Sequence, residues 1–236
     1  MSYFPTTHWS LVLNVGHGSV ETAQRALEQL CHIYWYPLYS FARSQNDSAH
    51  DAEDLIQGFF AELVERNLVA RAQIEKGRFR SFLLQSFKNY RYKQRDRRTA
   101  IKRGGQADIV SLDELQAEER FASEPTGGIA PDRQFERNWA ISVLDEAHHR
   151  LAAEYEQAGK GDLFALLRGT LQSRGEGPAY AELAATVGKS EAAIKMDASR
   201  MRSQYRKRLR EVVTETVSHP AEVEEELRYL LAVLSS

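Results

Sequence analysis

The 236-residue sequence predicts an all-α protein built from two helical modules. Three observations carry that expectation. Apolar residues recur at intervals of three and four along nearly every ordered stretch. Alternating β-branched runs are missing. An acidic segment holding Gly104-Gly105, Pro125, Gly127-Gly128 and Pro131 interrupts the periodicity. The helical periods fall at roughly 20–31, 33–44, 50–66, 79–98, 135–157, 161–172, 179–187, 191–216 and 220–234. Residues 1–104 are therefore read as a first module, 105–134 as a linker, 135–216 as a second module and 217–236 as a C-terminal amphipathic helix, expected to pack on the second module. No apolar run is long enough to span a bilayer, and the opening Met1-Ser2-Tyr3-Phe4-Pro5 lacks the basic-then-apolar pattern of a secretory signal. The single cysteine, Cys31, excludes an internal disulfide and fits a reducing compartment, so a cytoplasmic location is expected.

The net charge of −2 conceals strong segregation. Residues 71–104 carry 12 basic and 2 acidic side chains, and residues 189–210 carry 8 basic and 2 acidic. The first island lies between acidic stretches; the second follows a neutral stretch, 166–188, and precedes an acidic tail. Such islands are the local footprint expected of a nucleic-acid binder, although a single basic run is as often a solvated helix face.

The helix at 50–66 is expected to start with Asp51 as its cap, with Glu53 and Asp54 suiting the positive end of the dipole. Leu55, Ile56, Phe59, Phe60 and Leu63 form its core stripe. The opposite face carries Asp54, Gln57, Gly58, Ala61 and Glu65. Glycine in an exposed helix interior costs about 1 kcal/mol relative to alanine. A small surface edged by carboxylates would admit a close, arginine-rich partner helix. A helix that merely tolerates its glycine explains the same residues. Asp51, Glu53 and Asp54 have no further ligand at metal-binding spacing.

The helix at 79–98 has an apolar stripe of Phe79, Phe82, Leu83, Phe87 and Tyr90. Its far side holds Ser81, Gln85, Lys88, Tyr92 and Arg95, flanked by Arg91 and Arg98. Lysine and arginine neutralise phosphates, an aromatic ring stacks on an unpaired base, and Asn89 and Gln94 are able to hydrogen-bond base edges. The preceding Asn67–Gly77 loop could reach a flipped-out base.

Residues 179–208 read as a helix-turn-helix. Tyr180 to Val187 form a short helix stopped by Gly188, and Ser190 can cap the next. That second helix has its apolar seam at Ile194, Ala198, Met201, Tyr205 and Leu209. Its outer face shows Ala192, Met196, Ser199, Arg200, Ser203, Arg206 and Lys207. Small and basic outward residues after a tight turn are the layout that enters a major groove.

Three stretches, in order, resemble extracytoplasmic-function (ECF) sigma factors of bacterial RNA polymerase, in a divergent subgroup that opens with Trp9-Ser10-Leu11-Val12-Leu13. Tyr36-Pro37-Leu38-Tyr39-Ser40-Phe41-Ala42 with Asp51-Ala52-Glu53-Asp54-Leu55-Ile56-Gln57-Gly58-Phe59-Phe60 is similar to the region that docks on the polymerase clamp. The resemblance assigns polymerase contact to Asp51, Asp54, Leu55, Gln57, Gly58 and Ala61. Phe79-Arg80-Ser81-Phe82-Leu83 through Arg95-Asp96-Arg97-Arg98 is similar to the helix that melts the minus-ten element. It implies DNA contact by Arg78, Arg80, Lys88, Asn89, Arg91, Tyr92, Arg95 and Arg98. Tyr180-Ala181-Glu182-Leu183-Ala184 with Ser190-Glu191-Ala192-Ala193-Ile194-Lys195 is similar to the region that reads the minus-thirty-five element. It implies contact by Ser190, Glu191, Lys195, Met196, Ser199, Arg200, Ser203, Arg206 and Lys207. The expected partners are thus core RNA polymerase and promoter DNA, with an anti-sigma factor as a further candidate. Asp197 departs from the family pattern, since an acid on a DNA-reading helix repels phosphate. The leucine-proline step that usually precedes the second pair of helices is also missing, replaced by a longer Ala152–Gly177 segment.

No enzymatic site is expected. Cys31-His32 and His148-His149 do not make a four-ligand metal set, no phosphate loop or nucleophile-base pair is visible, and no cofactor is implied. Trp9, Tyr34, Trp35, Tyr36 and Trp139 are expected to anchor the core. A stand-alone helix-turn-helix regulator is the alternative function. It explains 179–208 and leaves the basic-aromatic helix at 79–98 unused.

Overall fold

A computed structural model describes residues 20–65, 78–100, 112–124, 128–172, 180–217 and 220–235, and among these the fold is all-α with no strand. The helices are α1 (Val20–Ser44), α2 (Ala49–Glu65), α3 (Phe79–Ala100), α4 (Leu112–Ala122), α5 (Pro131–Gln157), α6 (Gly161–Leu167), α7 (Gly169–Gln172), α8 (Tyr180–Val187), α9 (Glu191–Thr216) and, after a 3-10 turn at Pro220–Glu222, α10 (Val223–Ser235). The Trp9–Leu13 opening, the 67–77 loop and Gly104-Gly105 lie outside the described residues.

Two compact units result. One comprises the described residues up to Ser142 together with those from Thr214 onward; the other runs Val143–Val213. These limits differ from the sequence reading, which separates the modules at 105–134. Two segments account for the difference. The first is α4, which is helical where a linker is expected and packs on α1 and α2. Of its described side chains only Ala117 is fully buried. Among its described side chains the attachment is largely polar. Glu118 accepts hydrogen bonds from the Tyr39 hydroxyl at 2.6 Å and from Arg43 Nε and Nη2 at 2.6 and 2.9 Å. Just beyond the helix, Glu124 accepts from Tyr36 Oη (2.6 Å), Ser40 Oγ (3.0 Å), Asn138 Nδ2 (2.8 Å) and Gln134 Nε2. Among the described residues charge-assisted bonds carry this docking, and hydrophobic periodicity gives no sign of them. The second segment is α10, which clusters with the first unit, not with the helix-turn-helix, through contacts given below.

Helix α1 is continuous where two helices are expected, and it contains Pro37. Proline in a helix interior removes a hydrogen bond and normally kinks or breaks the helix. Here Ile33, Tyr34, Leu38, Tyr39 and Ala42 are all almost wholly buried, and burial on every side holds the segment helical. Around α1 the core adds Leu55, Ile56, Phe59 and Leu63 from α2, Leu83 and Phe87 from α3, and Phe135 and Trp139 from α5. The expected stripe of α2 is therefore buried as read. Phe79, Leu83 and Phe87 are buried too, whereas Phe82 and Tyr90 are half-buried. Tyr34, Tyr36 and Trp139 anchor the core and Trp35 is half-buried.

In the second unit a separate core gathers Leu151 and Tyr155 of α5, Phe164 and Leu167 of α6, Ala184 of α8, and Ile194, Ala198 and Met201 of α9. The segment expected as one helix at 161–172 divides at Arg168 into α6 and α7. Among the described residues no helix is long and apolar enough to cross a membrane.

Candidate nucleic-acid interface

The helix-turn-helix is built by local rules. Gly188 sits at φ +66°, the left-handed conformation that ends α8 with least strain for glycine. The Lys189 amide then donates to the Ala184 carbonyl at 3.1 Å, closing a Schellman turn. Ser190 caps α9, its hydroxyl accepting from the Ala193 amide at 3.3 Å. Arg202 of α9 donates to the Tyr180 hydroxyl of α8 at 2.8 Å, tying the two helices together. With Ile194, Ala198 and Met201 fully buried and Tyr205 and Leu209 half-buried, the seam faces inward as expected. Burial and the neighbouring Asp145 push the Tyr205 hydroxyl up to about 12, so it remains protonated and donates to the Leu144 carbonyl at 3.3 Å.

That seam fixes the opposite face. Ser190, Glu191, Ala192, Lys195, Met196, Ser199, Arg200, Ser203, Arg206 and Lys207 are all exposed. Lys195 pairs with Glu191 one turn earlier at 2.7 Å. Asp197 is not a bare acid on this face: its side chain is 20% exposed and accepts from Lys189 Nζ at 3.1 Å. The repulsion expected of it is thereby offset by the lysine of the turn.

On α3 and at Arg78 just before it, the predicted DNA-contacting residues separate into three groups. Tyr92 is 68% exposed, and Asn89 and Arg95 are exposed beside it. Arg78 and Lys88 are half-buried and already paired, Lys88 with Asp132 at 2.7 Å and Arg78 with Glu225 and, at 3.5 Å, with Glu226. Arg80 and Arg91 are turned inward. Arg91 donates to Asp47 Oδ2 at 2.5 Å and to the Gln45 carbonyl at 3.0 Å, pinning the α1–α2 turn. Arg80 is 3% exposed, bonds the buried Glu226 carboxylate and lies over the rings of Trp139 and Tyr229 at 4.7 and 4.0 Å. Burial and then the adjacent Arg78 lower its pKa below the usual value, and the guanidinium remains charged. The sequence placed Arg80 and Arg91 on the DNA; the fold consumes both as internal anchors. The side chain of Arg98 lies outside the described residues.

The third surface is the outer side of α2. Its cap is Ser48 and not Asp51: the Ser48 hydroxyl accepts from the Asp51 amide at 3.1 Å and donates to the Asp51 carboxylate at 2.9 Å. Asp54, Gln57 and Ala61 are exposed and Leu55 is buried, so Leu55 supports this face without presenting itself on it. Gly58 has an internal reason. A Cβ there would overlap the Tyr90 hydroxyl of α3, so the glycine lets α3 close on α2. Glu53 and Gln57 also line a groove of about 520 Å³ shared with Cys31, Trp35 and, from α4, Gln116 and Arg120. Nothing in the local sequence marks α4 as a wall of this surface.

Among the described residues no group of three or more histidine, cysteine, aspartate or glutamate side chains could hold a metal ion. Comparison with protein-family models, with curated proteins and with solved structures finds no match.

Proposed function

We propose that this protein is a sigma factor that binds core RNA polymerase and directs promoter recognition and melting. The observation that carries the reading is the capped helix-turn-helix whose second helix turns Ser199, Arg200, Ser203, Arg206 and Lys207 to solvent while burying Ile194, Ala198 and Met201. Small and cationic side chains on an exposed helix of that kind suit major-groove entry. Two further features support a sigma factor over a simple DNA binder. One is the exposed Asp54-Gln57-Ala61 face of α2, polar and acid-edged, which suits an arginine-rich partner helix. The other is the exposed Tyr92-Arg95 pair with Asn89, which suits capture of an unstacked base. The minus-ten surface in this reading is narrower than the sequence implies and is centred on Asn89, Tyr92 and Arg95.

A pull-down with core polymerase tests the reading directly. The wild-type chain is expected to be retained and to support promoter-dependent run-off transcription, and Asp54→Lys to be released. Failure of the wild type to bind polymerase removes the proposal. The internal use of Arg80 and Arg91 favours the second reading, a stand-alone helix-turn-helix regulator. That reading expects tight duplex binding without polymerase and a dimer in light scattering.

A further inference from the structure

Asp197 is the residue on α9 that the DNA-binding reading leaves unexplained. Its carboxylate accepts from Lys189 Nζ at 3.1 Å through Oδ2, and its Oδ1 lies 3.8 Å from Arg200 Nη1. The other edge of the Arg200 guanidinium rests on Met196, with Nη2 3.4 Å from Sδ. Arg200 is nonetheless 68% exposed in its side chain, and Met196 is 52% exposed. An exposed arginine normally samples many rotamers, which suits phosphate contact on any sequence. An arginine bonded to a thioether through Nη2, with a carboxylate 3.8 Å from Nη1, has fewer rotamers open to it and presents its remaining N–H groups in a restricted direction. Directed N–H pairs are what bidentate reading of a guanine edge requires.

We propose that Arg200 is the specificity-determining residue of the helix-turn-helix, reading one G·C pair, and that Asp197 is its positioning residue. This rests on the DNA-binding reading above. Lys189 completes the arrangement by holding the carboxylate and offsetting its charge. The acid then has a cost and a benefit that are separable. It weakens attraction to phosphates generally, and it orients the arginine that discriminates between sequences.

The test uses the full-length protein and a pool of randomised duplex DNA, with and without core polymerase. The wild type is expected to select a site with one guanine position favoured about tenfold or more. Asp197→Asn should flatten that position while raising binding to non-selected duplex, because a negative charge is removed beside phosphates. Arg200→Ala should flatten the same position and lower binding to all duplexes. Arg200→Lys should not restore the preference, since an ammonium lacks the fork. Asp197→Asn is expected to keep the wild-type circular dichroism and melting temperature within a few degrees, since asparagine has the same shape and its amide oxygen still accepts from Lys189. A selected site whose preferences are identical in wild type and Asp197→Asn overturns the positioning role while leaving DNA binding intact. A wild type that binds no duplex under either condition overturns both.

Discussion

Gly58 shows how a single residue can carry one meaning in sequence and another in the fold. In the sequence it reads as a flat spot for an outside partner; in the structure the neighbour that needs the space is Tyr90. Alanine should gain about 1 kcal/mol of helix propensity, and displacement of the Tyr90 hydroxyl should cancel that gain. Gly58→Ala is therefore expected to leave stability unchanged or lower, and to stabilise by about 1 kcal/mol in a Tyr90→Phe background. Urea denaturation of the four proteins of that cycle measures it; purely additive effects would show that Tyr90 is not the cause. Glu225 and Glu226 make a second contrast. Both meet arginines at the start of α3, Arg78 just before it and Arg80 within it, but Glu225 is 66% exposed in its side chain and Glu226 is 5% exposed. Glu226→Ala leaves Arg80 buried without its counter-charge, a loss of about 3–5 kcal/mol for such pairs. Glu225→Ala should cost under about 1 kcal/mol. Equal losses on denaturation would contradict this assignment of burial.

The helix-turn-helix is the element that local chemistry specifies most completely. Its turn depends on a positive φ at Gly188, and an alanine there carries a penalty of roughly 1–2 kcal/mol. Gly188→Ala should lower the melting temperature and, under the proposed DNA-binding function, weaken duplex binding in parallel, as followed by circular dichroism and fluorescence anisotropy. Full stability with lost binding would place glycine's role in DNA contact instead of in the turn. By contrast, α3 cannot be understood from its own sequence. Its basic residues look equivalent along the helix, yet Arg80 and Arg91 are spent on Glu226 and Asp47 while Tyr92 and Arg95 remain outside. Which arginine of a basic helix faces inward depends on where an acid from a distant segment arrives. The Glu224-Glu225-Glu226 run and the Arg78-Phe79-Arg80 pair are both visible in sequence, but nothing local says that they meet.

At the scale of the whole molecule, the first unit is closed by polar bonds between segments far apart in the chain. The Arg43 guanidinium, and then the Tyr39 hydroxyl, hold the Glu118 carboxyl below the ordinary glutamate value of 4.5, against the opposing effect of burial. A carboxyl whose pKa is lower folded than unfolded contributes stability above its unfolded value, and that contribution is lost as pH falls through the folded value. The unit should therefore lose stability below about pH 4.5 in part through Glu118. Glu118→Gln should be less stable than wild type near neutrality and show a shallower acid limb. Thermal melts from pH 7 down to pH 3 measure this, and parallel acid limbs would assign the transition to other carboxylates.

What the amino-acid order determined by itself depends on neighbours within a few residues. The helical class, the apolar stripes of α2 and α9, the Gly188 stop and the Ser190 cap follow from intervals of three and four and from backbone conformations that few residues tolerate. Tertiary structure alone decided that α1 runs unbroken through Pro37, that an acidic linker becomes a docked helix, and that α10 closes on α3. The reason is that a charged side chain reads as solvated until its partner is placed. Placement across intervals such as the 146 residues between Arg80 and Glu226 is a property of the folded chain and has no local signature.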